Sequence, residues 1–397
     1  MKTPNGWICE DLLVWNEFDR RGFVSKGFVL DVPDLRHASE HALDAFYASV
    51  RQFLHTLDES TRAQIRWSVD SDYRDELLAY KAVTDERCEP ESWAAITRNE
   101  RFNRYWQAMQ TGQLRREKLV LFLSKRIAAN PPNGATGRTL TQHYQRSLAQ
   151  YRESFDQHGR VIASLFEPHG CRVTAFSGDD LFRYYATFFN PSYLRRDNYD
   201  PIGQFRPEET LHQNCWHQGV QGGKAFGFFA DGFYHNLIIL KRRPQRTRRG
   251  IFWALTSLPF LDYAITVNLY PQNARKEIGR AEKSLERVRG DYLAEGRHSM
   301  LTAKAVKEER IRELAQGDVV PISYDFVVHV WDESEAGLVS KTRQIETAFS
   351  QMEDAQCWTS NLSSAATTKN VWFQTWPGWL WGKYTPHADN GLDEWLA

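Results

Sequence analysis

Phosphate chemistry, metal binding and nucleophilic attack each demand certain side chains at certain spacings, and the chain holds a few near approaches. A phosphate loop is G-x-x-x-x-G-K-[ST]: backbone amides cradle the phosphates, the lysine reaches the β and γ oxygens, and the hydroxyl holds Mg²⁺. At Gly223–Lys224, Gln218 stands where the first glycine belongs and Ala225 where the hydroxyl belongs. In GATGRT, Gly134–Thr139, the spacing is short and Arg138 replaces the lysine. Both read as turns, so no nucleotide-binding residue is assigned. His212, Cys215 and His217 fall close together, and His169 lies just before Cys171. A structural zinc site needs about four N/S ligands, usually as paired short spacings. No second pair supplies them, and no metal ligand is assigned. There is no G-x-S-x-G elbow, and none of Cys9, Cys88, Cys171, Cys215 and Cys357 carries a catalytic signature. The acidic pairs Asp70/Asp72 and Asp75/Glu76 have the residue types for acid–base work. At a strand-to-helix junction they read first as caps and solvated faces. No catalytic residue is assigned, and the chain by itself is expected not to be an enzyme.

Two features suit recognition instead. KRRPQRTRR places Lys241, Arg242, Arg243, Arg246, Arg248 and Arg249 between two apolar segments. Such a run can contact DNA phosphates or an anionic membrane surface, or stand as a solvated loop paired with acidic neighbours. Trp358, Trp372, Trp376, Trp379, Trp381 and Trp395 crowd toward the chain end. Trp372, Trp376, Trp379 and Trp381 are read either as a docking surface covered by a following domain or partner, or as a local core satellite.

Composition narrows the classes. With 50 basic and 50 acidic residues in 397 the net charge is zero, which lacks the basic excess of a dedicated nucleic-acid binder. An odd number of widely spaced cysteines, without C-x-x-C, points to reduced thiols in a cytosolic setting. The opening MKTPNGWICEDLLVW has no secretory h-region. The longest apolar run, Leu119–Leu123, is far below the ~20 residues that cross a bilayer. A cytoplasmic protein, at most peripheral to the inner membrane, is expected.

The elements that must position these residues follow from periodicity. Trp7–Trp15 and Gly22–Val32 read as strands. Leu43, Phe46, Val50, Leu54 and Leu57 share a helix face that Ser39 can cap. Strand Gln64–Asp70, helical Tyr73–Gln113 broken at Pro90, strand Lys118–Lys125, a helix through Leu140–Phe155, strand Arg172–Phe176 and helix Asp179–Phe189 complete the first half. Pro191, Pro201 and Pro207 mark a connection. The second half repeats the order: strand Phe233–Lys241, short helix Ile251–Leu258, strand Tyr263–Tyr270, helices to about Gln316, strand Val319–Trp331, helix Leu338–Met352, strand Gln356–Leu362 and helix Thr367–Trp376. The expected class is α/β (α+β), as two tandem ferredoxin-like α/β sandwich modules. Their bounds are 1–190 and 213–378, with a linker at 191–212 and a Trp-rich lead at 379–397.

This order of segments resembles the N-terminal region of TraC/TrbE-type conjugative-transfer ATPases of type IV secretion. GDVVPISYDFVVHVWDESEAGLVSKTRQIETAFSQMEDAQCWTSNLSSAATTKNVWFQTWPG resembles the end of that region, with Asn361, Phe373, Pro377 and Gly378 in its last element, a helix ending in a Pro-Gly turn. NRYW and KLVLFLSKR resemble its aromatic helix and the strand before its second long helix, and GFVLDVPDL is similar to the F-type TraC branch. The resemblance implies a non-catalytic scaffold that anchors a motor to the inner-membrane complex for DNA transfer or pilus assembly. It further implies a hexamer-type homo-oligomer, a C-terminal ATPase domain and inner-membrane components as partners, and ATP and Mg²⁺ only in a motor expected beyond residue 397. The alternative is a DNA-binding accessory protein acting through 241–249.

Overall fold

The computed structural model describes residues 5–16, 22–35, 38–127, 137–195, 203, 205–215, 219–222, 226–244, 250–295, 298–317, 319–352, 355–360, 365–380 and 387–388. The first half opens with a hairpin of β1 (Asn5–Cys9) and β2 (Leu12–Asn16), then β3 (Phe23–Asp31), α1 (Glu40–Thr56) and β4 (Thr61–Asp70). A helix pair, α2 (Arg74–Arg87) and α3 (Trp93–Gln110), leads to β5 (Arg116–Arg126), α4 (Gly137–Phe166), β6 (Arg172–Ala175) and α5 (Gly178–Phe189). A short helix, α6 (Leu211–Cys215), connects the halves. The second half has the hairpin β7 (Gln221–Gly222) and β8 (Phe228–Ala230), then β9 (Phe233–Arg242), α7 (Trp253–Thr256) and β10 (Tyr263–Pro271). The helix pair α8 (Ala274–Glu295) and α9 (His298–Gln316) leads to β11 (Ile322–Asp332), α10 (Glu335–Ser350), β12 (Gln356–Thr359) and α11 (Ala365–Gln374). β13 (His387–Ala388) pairs with the start of β11. Element for element, the second half repeats the first.

Strand pairing repeats as well. The order is β6–β3–β5–β4 in the first half and β12–β9–β11–β10 in the second, antiparallel throughout. Each hairpin extends the edge that β6 or β12 also uses. The equivalent strands β4 and β10 then pair with each other, from Ala63↔Leu269 to Val69↔Tyr263, and fuse the halves into one sheet of 13 strands among the described residues. The architecture is mixed α/β around a large antiparallel sheet.

Local chemistry accounts for the helices. Ser39 caps α1 by accepting from the Ala42 amide at 3.2 Å, as its position in sequence predicts. Ser177 and Asp180 form a reciprocal capping box on α5, and Ser334 caps α10 through the Gly337 amide at 3.0 Å. The apolar stripes of α1, α4 and α10 cover one face of the sheet, packing Phe46, Phe155 and Phe349 on residues such as Leu121, Leu123 and Val328. On the other face α5 and α11 pack against Val120, Phe122, Leu237 and Ile239. With both faces covered, β5 and β9 read as continuous apolar runs and not as alternating ones. Among the described residues no helix is long and apolar enough to cross a membrane.

The tryptophan-rich segment lies inside this core. Trp372 is 6 % exposed, Trp376 1 % and Trp379 6 %. Trp376 meets Phe189 with ring centroids 4.9 Å apart, and Trp379 meets Trp15 at 5.2 Å. The docking-surface reading of these three is therefore corrected: large aromatics next to an uncovered sheet face bury themselves on it. Trp381 lies outside the described residues.

Candidate functional site

The middle of the second face is polar although it is buried. Register sets Gln64, Asn268 and Asp325 side by side on β4, β10 and β11. Gln64 Nε2 donates to Asn268 Oδ1 (2.9 Å), Asn268 Nδ2 to Asp325 Oδ1 (2.7 Å), and Tyr270 Oη to Asp325 Oδ2 (2.7 Å). Burial pushes the Asp325 carboxyl up to about 6 despite these donors.

Residues 374–380 cross this row as a strap. The Gly378 amide donates to Gln64 Oε1 (2.8 Å), and its carbonyl accepts from Ser25 Oγ (2.8 Å). Asn268 Nδ2 donates to the Gln374 carbonyl (3.0 Å), Arg66 Nη1 to that of Thr375 (3.1 Å), and Arg62 Nη1 to that of Leu380 (2.7 Å). Side chains from β3, β4 and β10 thus satisfy main-chain groups that burial would otherwise leave unpaired. The polar row and the strap require each other.

Two rungs away the row opens into a crevice. Lys118, Ser68, Ala264 and His329 form one rung across β5, β4, β10 and β11. Arg66, Ser68, Asp70, Tyr184, His329 and Trp331 line a cavity of about 50 Å³. It shares Asp72, Tyr184 and Thr187 with a wider cleft of about 740 Å³. The cleft wall holds Arg116, paired with Glu76 at 2.5 Å, and Arg183, paired with Asp75 at 3.3 Å.

Several groups here are displaced from their ordinary ionisation. Asp70 accepts from the Asp72 amide (2.9 Å), and burial together with the Asp72 charge raises its pKa to about 6. The Lys118 ammonium lies 5.1 Å from the Tyr184 ring centre and 5.7 Å from that of Phe176; burial, then Arg116, lowers its pKa. Burial raises the pKa of the Tyr184 hydroxyl. Burial, then His235 and Arg66, holds His329 well below the usual histidine range. His235 Nδ1 and His329 Nε2 are 3.0 Å apart, and burial lowers the His235 pKa to about 3. The pair is therefore neutral.

Of the residues singled out in the sequence, Asp70 and Asp72 reach this crevice, and Asp72 accepts from the Arg74 amide at 3.3 Å. The expected cap is corrected: Tyr73 holds the N-cap position of α2 without a side-chain hydrogen bond, and the two carboxylates turn the chain ahead of the helix. Asp75 and Glu76 stand on the cleft wall as ion-pair partners. Lys241 and Arg242 are exposed at the end of β9, whereas Arg246, Arg248 and Arg249 lie outside the described residues. Cys215 is buried in α6 with partly exposed His212, and His169 Nε2 sits 2.8 Å from Ser49 Oγ, away from them. Among the described residues no group of three or more His, Cys, Asp or Glu is placed to hold a metal; His217, Gly223–Lys224 and residues 134–136 of GATGRT lie outside them, whereas its Gly137–Thr139 open α4 and not a turn. Arg66, Tyr184 and His329 were not anticipated. They come from strand and helix positions whose meeting depends on register, and no local motif marks them. Compared with known proteins, the chain matches no protein-family model and no curated protein.

Proposed function

We propose that the chain is a non-catalytic scaffold of the TraC/TrbE type, built from two ferredoxin-like modules at about 1–190 and 213–378. In this reading it holds a hexameric transfer motor against the inner-membrane complex, and ATP and Mg²⁺ belong to the motor. Both halves run strand, helix, strand, helix pair, strand, helix, strand with the spatial order fourth, first, third, second, which supports the module assignment. The observation that carries the scaffold reading is the strap: 374–380 is tied by its main chain to β3, β4 and β10, so anything joined to it is positioned by both halves at once.

The purified chain is expected to hydrolyse no ATP above background. It is also expected to co-purify with a separately expressed motor domain carrying G-x-x-x-x-G-K-[ST] from its own reading frame or the adjacent gene. Turnover by the chain alone that a single substitution abolishes would sink this reading, as would the absence of such a motor in the gene neighbourhood. The exposure of Lys241 and Arg242 favours one rival, a DNA-binding accessory role for 241–249. That role requires binding that weakens steeply with salt and disappears when the run is neutralised.

A further inference from the structure

Lys118 is half-buried, and its ammonium meets no acceptor among the described residues. It faces the rings of Tyr184 and Phe176, 5.1 and 5.7 Å from their centres. Other lysines drawn into the protein find oxygen: Lys26 pairs with Asp11 at 2.7 Å, Lys341 pairs with Asp332 at 3.0 Å, and Lys125 donates to Ser154 Oγ at 2.7 Å. Ring faces hold a cation less firmly than a carboxylate does, so the charged form of Lys118 is weakly supported where it stands.

Its neighbours act in both directions. Register sets Lys118 opposite Ser68 and Arg116 opposite Asp70, so Lys118 and Arg116 point to the same face two residues apart. Arg116 is fixed there by Glu76 at 2.5 Å and by the Asp72 carbonyl. Asp70 on β4, Asp72 ahead of α2 and Asp75 on α2 favour the ammonium, but none forms an ion pair with it. Burial and the Arg116 charge outweigh them and lower the Lys118 pKa. At neutral pH the side chain therefore holds more of its uncharged, nucleophilic form than an exposed lysine does. The amine is also approachable: Lys118 stands on the wall of the cleft of about 740 Å³ that lies over β3, β5 and β6 between α2 and α5.

We propose that Lys118 is an amine nucleophile that captures small uncharged aldehydes from this cleft as imines. The nitrogen lone pair attacks the carbonyl carbon, a C–N bond forms, and the carbonyl oxygen takes up a proton to give a carbinolamine. Loss of that hydroxyl and an amine proton as water leaves the C=N bond, so amine and aldehyde give imine and water. An aldehyde needs no leaving group or activating group for this step. The wall cations Arg116 and Arg183 are already paired with Glu76 and Asp75, and the amine sits against two rings, which suits an uncharged ligand. Capture is stoichiometric and reversible, so it requires no turnover, and it does not rest on the scaffold reading.

The test is reductive trapping on the full chain with acetaldehyde and sodium cyanoborohydride, read lysine by lysine by mass spectrometry of its peptides. At pH 7, N-ethylation of Lys118 should run at least about fivefold faster than that of exposed Lys241 and Lys276 in the same sample. Taking the ratio cancels the reductant's own pH dependence. Exposed lysines gain neutral amine up to about pH 10, whereas Lys118 gains its share earlier, so the ratio should shrink as pH rises toward 10. In concentrated guanidinium chloride the advantage should vanish, because the rings and Arg116 no longer surround the amine. Equal rates in the folded chain, faster labelling of Lys241 or Lys276, a ratio that stays constant with pH, or an advantage that survives denaturation would each overturn the assignment.

Discussion

Asp70 shows how one residue can fix a turn and carry a cost. Its side chain holds the Asp72 amide, while burial and the Asp72 charge raise its pKa from 3.8 to about 6, against the opposing pull of Lys118 and Arg116. A raised folded-state pKa means that the folded protein binds the proton more tightly than the unfolded chain. The resulting stabilisation is full below about 4 and is lost as pH rises through about 6. Asp70→Asn keeps an acceptor oxygen for the Asp72 amide and removes the charge. It should stabilise the protein by about 1–2 kcal/mol at pH 8, a shift of about two units discounted for partial exposure, and by close to nothing at pH 4. Urea unfolding at the two pH values measures the difference; equal effects at both would show that the ionised carboxylate is not what costs stability. The acidic pair at a strand-to-helix junction was legible in the sequence, but the turn it makes in place of a helix cap and its perturbed ionisation were not, since both depend on what folds around the group.

At the level of elements, the strap at 374–380 depends on one backbone conformation. Gly378 has φ +66, and a Cβ placed there would meet Leu13 Cδ1 and Phe122 Cδ1 at 3.1 Å and Ser25 Cβ at 3.2 Å. Both of its main-chain polar groups are used, the amide by Gln64 and the carbonyl by Ser25. Gly378→Ala combines left-handed strain with crowding, and should cost about 2–3 kcal/mol. Chemical denaturation measures the loss, and a change within about 0.5 kcal/mol would mean that the strap adapts at little cost. Pro377 and Gly378 were singled out in sequence only through the resemblance, as the end of its last helix. The target of Gly378 was not legible, because Ser25 and Gln64 are more than 300 residues away along the chain.

For the whole molecule, the seam between β4 and β10 joins the two halves into one sheet, and the strap crosses it. Neither half can unfold without exposing the edge strand and polar row of the other, so the chain should melt in a single transition in spite of its length. Tryptophan fluorescence and far-ultraviolet circular dichroism should give coincident curves, with calorimetric and van't Hoff enthalpies in agreement. Two resolved transitions would show that the seam does not couple the halves.

Periodicity and capping in the sequence were enough to locate most of the larger elements and the repeat of their order, because apolar spacing and a cap such as Ser39 act within a few residues. The short α6, β7 and β8 left no such signal: pieces of two to five residues have no period to read. Only the tertiary structure decided that the equivalent strands β4 and β10 pair, that the tryptophans turn inward, and that Arg66, Tyr184 and His329 meet. The physical reason is register. A strand shifted by one residue sends every side chain to the opposite face, and contacts that choose among registers join parts of the chain hundreds of residues apart.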